Sequence, residues 1–303
     1  MTVLADDFLE AKRNKGRILK FCNTDGEQIK AAHGTARFML APSNTTVNDE
    51  VDGTTPNLDD TLVSGNPLNA GYVDISLNVH KTVVFGFTQI EQALDGGRSI
   101  PPVIQGRMYS LFNVIEQDIC ALASTATTNV LGTPATALSE STYDSARADL
   151  VEAQVPDHVP LTAFYSPGPY SFVALSNLAG FRQWAYTGRT SPDVETTYGD
   201  GTYWKGARHF ESQNVKRTGA NTDSVDTVYN FLFSKDAILV AMLDLPIPTS
   251  PGVEAMNFRD PDSGIAFQIL KYYDQAHGGD VMKIHSLYGK GFGREDWIAL
   301  LLS

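Results

Sequence analysis

The stretch VDISLNVHKTVVFGF, residues 73–87, limits what this chain can fold into more than any other. Seven of its eight odd positions are apolar (Val73, Ile75, Leu77, Val79, Val83, Phe85 and Phe87), whereas Val84 is the only apolar residue at an even one. Successive side chains of a strand point to opposite faces, so this alternation predicts one wet and one dry face. Fifteen residues at about 3.3 Å each extend about 50 Å, while strands average about five or six residues.

A helix of comparable length follows. After Gly96-Gly97, Pro101 and Pro102 sit where proline suits a helix start. Ile104, Met108, Leu111, Ile115, Ile119 and Leu122 then recur every three or four residues, an apolar stripe ending near Ser124. At 1.5 Å per residue the helix is about 35 Å long. A long one-faced strand beside a long one-faced helix implies an extended module whose faces are completed by each other and by neighbouring copies.

Before the strand, residues 41–72 are rich in Ser, Asn, Thr, Asp, Gly and Pro, a connection far longer than a compact domain normally contains. From Arg37 to Lys81 there is no intervening Lys or Arg, while Asp49, Glu50, Asp52, Asp59, Asp60 and Asp74 carry six negative charges, half of the net charge of -12. Two readings stand: a solvated acidic loop, or a docking arm for a basic surface on a second copy. The available basic partners are Lys12, Arg13, Lys15, Arg17 and Lys20, or Lys205, Arg208, Lys216 and Arg217. The candidate inter-subunit contacts are therefore Asp49, Glu50, Asp52, Asp59 and Asp60 against Arg13, Arg17, Arg208, Lys216 and Arg217. Residues 6–21 read as a short amphipathic helix bearing the first basic cluster, and residues 29–40 as a strand.

The middle of the chain alternates short elements. A helix is expected at 141–153, with Ser141 and Asp144 as a capping-box variant and Pro156 as its stop. A strand follows at 161–165, then a helix from Ser166-Pro167 to about Leu178. Polar loops are expected over 190–226, and strands near 228–233 and 237–243. The last forty residues return to strands: alternation at Ile265, Phe267 and Ile269, a polar turn, a return over 281–288, and a closing strand at 297–302. These closing strands are expected to pair with the long one, so that an α+β domain is inserted into the first module.

No constellation for catalysis is legible. The six histidines (His33, His80, His158, His209, His277 and His285) never fall within four residues of one another, and no HExxH pattern occurs. The run Gly289-Lys290-Gly291-Phe292-Gly293 lacks the ending of a phosphate loop and is expected to form a turn between closing strands. Ser166-Pro167-Gly168 lacks the context of a nucleophile elbow. Cys22 and Cys120 suggest neither a disulfide nor a metal site, which suits a reducing compartment. No catalytic residue, metal or cofactor is expected, and no enzyme activity. The acidic balance argues against a surface that grips nucleic acid, and no segment has the length of a membrane span or the order of a signal peptide.

Three stretches in chain order carry a family resemblance: VDISLNVHKTVVFGFTQIEQAL with the helix PPVIQGRMYSLFNVIEQDICALA, then STYDSARADLVEAQVPDHVPLTAFYSPGPYSFVAL, then IHSLYGKGFGREDWIALLL. Together they resemble the tailed-bacteriophage major capsid proteins of the Hong Kong phage type over about two thirds of the chain. The resemblance implies an α+β capsid fold: an N-terminal arm at 1–28, an extended-loop hairpin at 29–87, a peripheral domain with a spine helix at 88–130 and 261–303, and an inserted axial domain at 131–260. It further implies self-assembly into hexamers and pentamers of an icosahedral head shell in the virion, built in the host cytoplasm around double-stranded DNA without sequence-specific binding. Partners would be a portal protein and a separate scaffolding or decoration protein. No long charged helical extension lies between Met1 and the arm, so a cleaved scaffolding segment is not expected. An encapsulin-like nanocompartment shell that packages a cargo enzyme is the alternative within the same fold.

Overall fold

The computed structural model describes residues 18–24, 34–40, 71–88, 100–156, 159–178, 202–218, 227–250, 252–259, 266–276 and 278–303. In chain order, a 3-10 turn at Ile18–Phe21 precedes β1 (Thr35–Leu40), β2 (Gly71–Ser76), β3 (Val79–Thr88) and the long helix α1 (Ile100–Ala123). Then come β4 (Asn129–Gly132), α2 (Glu140–Glu152), β5 (Leu161–Tyr165), α3 (Phe172–Ser176), β6 (Thr202–Trp204), β7 (Ala207–Glu211) and β8 (Arg217–Thr218). The remaining strands are β9 (Thr227–Phe233), β10 (Ile238–Leu243), β11 (Val253–Arg259), β12 (Ala266–Asp274), β13 (Gly279–Phe292) and β14 (Ile298–Leu302).

The strand expected as one piece is two. β2 and β3 are separated by Leu77 and Asn78, yet the alternation runs through the break: Ile75 and Phe85 are buried, with Val73, Leu77, Val79 and Val83 half-buried. What changes is the partner. β2 pairs antiparallel with β1, from Thr35 opposite Ser76 to Leu40 opposite Gly71. β3 instead pairs with β13 over ten residues, from Val79 opposite Tyr288 to Thr88 opposite Gly279. Lys81, the one polar residue at an odd position, points inward with its neighbours and forms an ion pair with Asp118 of α1 at 3.3 Å.

β13 organises a five-stranded sheet, flanked by β3 on one side and by β12 and β10 on the other, with β11 beyond β12. One face of this sheet (Val83, Phe85, Ile269, Ile284 and Tyr288) packs with Leu111, Phe112, Ile115 and Ile119 of α1 into the largest hydrophobic cluster. Leu111, Ile115 and Ile119 belong to the apolar stripe read from the sequence, and Phe112 widens it. The second sheet has seven strands in the order β4-β14-β9-β5-β7-β6, with β8 on β9. Against it Tyr143, Ala146 and Leu150 of α2 form another cluster with Ala163, Tyr165 and Trp204.

Several local expectations are corrected. α2 is capped by Ser139, whose hydroxyl accepts from the Thr142 backbone N–H at 3.2 Å, not by Ser141. The helix after β5 is confined to Phe172–Ser176, because Pro167 and Pro169 have no N–H to give and Gly168 lies between them. Strands β6, β7 and β8 lie within the region read as loops. β7 runs parallel to β5 inside the sheet, so it carries the near-continuous burial of a central strand instead of an alternation. Sheet membership also cuts across the boundaries expected from the sequence: β14 joins β9 and β4 in the seven-stranded sheet, while β10 and β11 belong with β3, β12 and β13. Among the described residues no helix is long and apolar enough to cross a membrane.

Candidate functional site

Two described parts of the chain, the β1–β2 hairpin and the segment 18–24, are each held against β10. The first is the β1–β2 hairpin. Phe38, Leu40 and Ile75 on one face of it are 2%, 6% and 5% exposed and cluster with Leu239 and Ala241 of β10. In the pairing of β10 with β13, Leu239 lies opposite Gly291 and Ala241 opposite Gly289. That face is the one opposite α1, so at Leu77 and Asn78 the chain passes from lying over this face into the sheet itself as β3.

The glycines explain how the crossing fits. A Cβ on Gly289 would run into the Ser76 carbonyl group and Ile75 Cγ2, and one on Gly291 would meet Ile75 Cδ1 at 2.5 Å. The glycine-rich run expected to be a turn is therefore the last part of strand β13, with Gly289 and Gly291 on one face by strand periodicity and bare so that β2 can lie across them. At the hairpin's root, Arg37 grips Asp74 in a two-pronged ion pair of 2.7 Å and 3.0 Å between directly opposed residues. The Arg37 hydrogen bond, aided by its charge, holds the Asp74 carboxyl below its ordinary range against the opposing effect of burial. Asp74 thus has its counterion in Arg37 of the same hairpin.

The second segment enters at Ile18. Ile18, Leu19 and Cys22 are buried in the main cluster beside α1. The Ile18 backbone N–H donates to Glu116 Oε1 at 3.1 Å, and Asn214 Nδ2 donates to Glu116 Oε2 at 2.9 Å, so this buried carboxylate joins arm, helix and loop. Asn23 then lies along the edge of β10 away from β13: its N–H donates to Ile238 O and its carbonyl accepts from the Val240 N–H, both at 3.0 Å. Its side chain donates to Asp236 Oδ1 at 2.6 Å.

A polar hub ties α1 to the same sheet. Tyr288 Oη donates to Asp118 Oδ2 at 2.5 Å, and Lys290 Nζ donates to the Asp118 carbonyl at 2.6 Å. Burial alone would raise the Asp118 carboxyl, but the Tyr288 hydroxyl, Lys290 and Lys81 together hold it below its ordinary range. Burial, with help from Glu116, pushes both thiols up, Cys22 and Cys120, so neither is a poised nucleophile.

The residues singled out from the sequence fall unevenly. Asp49, Glu50, Asp52, Asp59, Asp60, Arg13 and Arg17 lie outside the described residues. Arg208 is half-buried on β7, and Lys216 is exposed with its ammonium 5.8 Å from the Tyr229 ring. Arg217 is half-buried and donates to Ser166 Oγ. Lys205 is held by Glu140 and Asp144 at 2.8 Å and 2.6 Å. Sequence spacing also hid a meeting of histidines: His80 Nε2 and His285 Nδ1 are 3.2 Å apart, although 205 positions separate them. No group of three or more His, Cys, Asp or Glu among the described residues could hold a metal ion.

Neither a family model nor a curated protein matches the sequence. Solved structures do match in fold. A structure of Mycobacterium phage Che8 aligns with TM-score 0.54 and 17% identity over 93% of this chain and 89% of that one. The mature capsid of bacteriophage PhiM1 aligns with TM-score 0.53 and 11% identity over 88% and 81%. A virus-like particle from Pyrococcus furiosus aligns with TM-score 0.51 and 11% identity over 98% and 97%. The chain has the mixed α+β fold of these phage capsid structures.

Proposed function

We propose that this chain is a major capsid protein, assembling through rings of five and six copies into the icosahedral head shell that encloses the double-stranded DNA of a tailed bacteriophage. The observation that carries the reading is the likeness in fold to a phage structure over 93% of the chain. The local structure supports it: the β1–β2 hairpin and the segment 18–24 are both anchored on β10, which suits subunits that hold one another by arms. In this reading the part of residues 131–260 that lies in the seven-stranded sheet, with α2, faces the ring axes, while α1 and the five-stranded sheet form the ring edge.

Residues 41–70 would reach over an adjacent copy, where charge complementarity fixes register more than it adds affinity. Arg13, Arg17, Arg208, Lys216 and Arg217 remain the proposed partners for that acidic segment. The net charge of -12 suits a wall to which packed DNA does not adhere. A portal protein and a scaffolding or decoration protein are the further partners, the virion is the location, and the role is structural, not enzymatic.

A shell that packages a protein cargo is the second reading, favoured by the likeness to the Pyrococcus furiosus particle over 98% of this chain. Purified particles decide between them: nuclease-protected double-stranded DNA supports the first, a stoichiometric co-purifying protein without DNA the second. A uniform monomer at high concentration and moderate salt would refute both. A variant lacking residues 45–70 should keep the subunit fold and fail to close shells; normal shells from it would eliminate the docking arm.

A further inference from the structure

The hairpin and the five-stranded sheet are joined at Leu77 and Asn78, and a chain of hydrogen bonds begins two residues later. His80, exposed on β3, has Nε2 3.2 Å from Nδ1 of His285, which is 9% exposed on β13. His285 Nε2 lies 2.9 Å from Gln268 Oε1 on β12. Gln268 Nε2 in turn donates to the carbonyls of Leu245 and Pro246 and to Asn257 Oδ1, at 3.2, 3.1 and 2.7 Å. Asn257 of β11 donates to Leu245 O at 2.6 Å. One line of contacts thus crosses β3, β13, β12 and β11 on the face opposite α1 and ends on the segment covering that face.

Its proton positions are fixed by elimination. Gln268 Nε2 faces three acceptors, so its Oε1 must accept, and His285 must carry its proton on Nε2. His285 Nδ1 is then an acceptor, and His80 Nε2–H must donate to it. A proton taken up by His80 on its other nitrogen leaves this arrangement intact. A second proton, on His285 Nδ1, does not: a neutral His80 could move its own proton to Nδ1 and accept, but a protonated His80 cannot, so two N–H groups of two cations then face each other across the 3.2 Å contact.

The surroundings offer that proton no welcome. Lys283 is the charged neighbour on the same face of β13, Arg259 of β11 is ion-paired to Asp244 of the covering segment at 3.7 Å, and β12 contributes only the neutral Gln268. Burial, then Lys283, then His80 depress the His285 imidazole from its usual 6.5 to about 4.

We propose that His80 and His285 form an acid-released latch that fixes the root of the hairpin to the sheet at neutral pH and lets it go when both rings are protonated. The inference concerns the single subunit and stands whether or not shells form.

Hydrogen exchange on the full chain, read as protection relative to the intrinsic rate at each pH, tests it on the peptide spanning residues 76–82. Wild type should lose about threefold to tenfold protection there between pH 7 and pH 4, the range expected for one hydrogen bond. His80→Gln should remove most of that response, because an amide can donate to neutral His285 and turn to accept from its protonated form. His80→Ala should already be deprotected at pH 7. An unchanged acid response in His80→Gln, wild-type protection at pH 7 in His80→Ala, or a flat wild-type profile would each overturn the latch.

Discussion

Replacing Gly289 with Ala tests whether the hairpin sits across β13 as described. The new Cβ would be directed at the Ser76 carbonyl group, with Ile75 Cγ2 at 3.0 Å. The carbonyl is main chain and cannot rotate aside, so the cost should lie near the top of the overpacking range, about 3 kcal/mol. The alternative escape is for the hairpin to lift off and expose Phe38, Leu40 and Ile75. At about 1.5–3 kcal/mol per buried side chain that would cost at least about 4.5 kcal/mol. The smaller cost wins, so the hairpin should stay seated while the local main chain bends. Urea denaturation of the unassembled subunit should show a loss of about 2–3 kcal/mol with an unchanged m-value, because m follows the surface exposed on unfolding. Wild-type stability in Gly289→Ala would show that the space is open and the crossing misplaced. A lowered m-value would show that the hairpin had detached.

Gly106, exposed in α1 with open space for 4 Å around the place a Cβ would take, is the matching control: Gly106→Ala should stabilise by about 0.5–1 kcal/mol in the same titration. Asn230→Ala should lower stability by about 3 kcal/mol, seen as a lower thermal midpoint. That side chain is fully buried, accepts from the Ser166 N–H at 2.9 Å and donates to Leu301 O and Ser303 Oγ, both at 3.0 Å. Burial depresses His209 from 6.5 to about 4 despite its bond to Trp204 O, so the unfolded chain binds the proton more readily and stability falls as pH drops from 6.5 towards 4. The loss, up to about 3 kcal/mol, should appear as a pH-dependent denaturation midpoint, with a shallower slope in His209→Asn.

Legibility followed how local each cause was. α1 was readable to within a residue or so at its C-terminal end because its stripe repeats every three or four positions and Leu111, Ile115 and Ile119 all meet one partner sheet. β5 matched its expected limits for a related reason, a short apolar run bounded by prolines. The division of residues 73–87 was not readable, since alternation reports which way side chains point and says nothing about which strand lies alongside. β7 was hidden by its flanking polar residues and by His209, whose burial beside Tyr143, Tyr165 and Trp204 no spacing rule signals. The contact of His80 with His285 depends on the β3–β13 register and so exists only after folding. The glycines at 289 and 291 did carry a signal, period two, but it marks a close backbone approach as readily as a turn.

The arm and the hairpin share a foundation that neither sequence segment announces. Asn23 adds main-chain hydrogen bonds along the edge of β10, while Phe38, Leu40 and Ile75 cover the side chains of Leu239 and Ala241 on its face. The other face of β10, Ile238, Val240 and Met242, belongs to the main core with α1. A six-residue strand is therefore used on an edge and on both faces, and its remaining edge is taken by β13. A force that moves the hairpin sideways must either slide it over bare glycine backbone or carry β10 with it, and carrying β10 disturbs the arm's hydrogen bonds. The first route breaks only apolar contacts, which are non-directional, so movement about the glycines is the softer one. That asymmetry lets the hairpin adjust its direction while the arm anchor and the main core stay fixed.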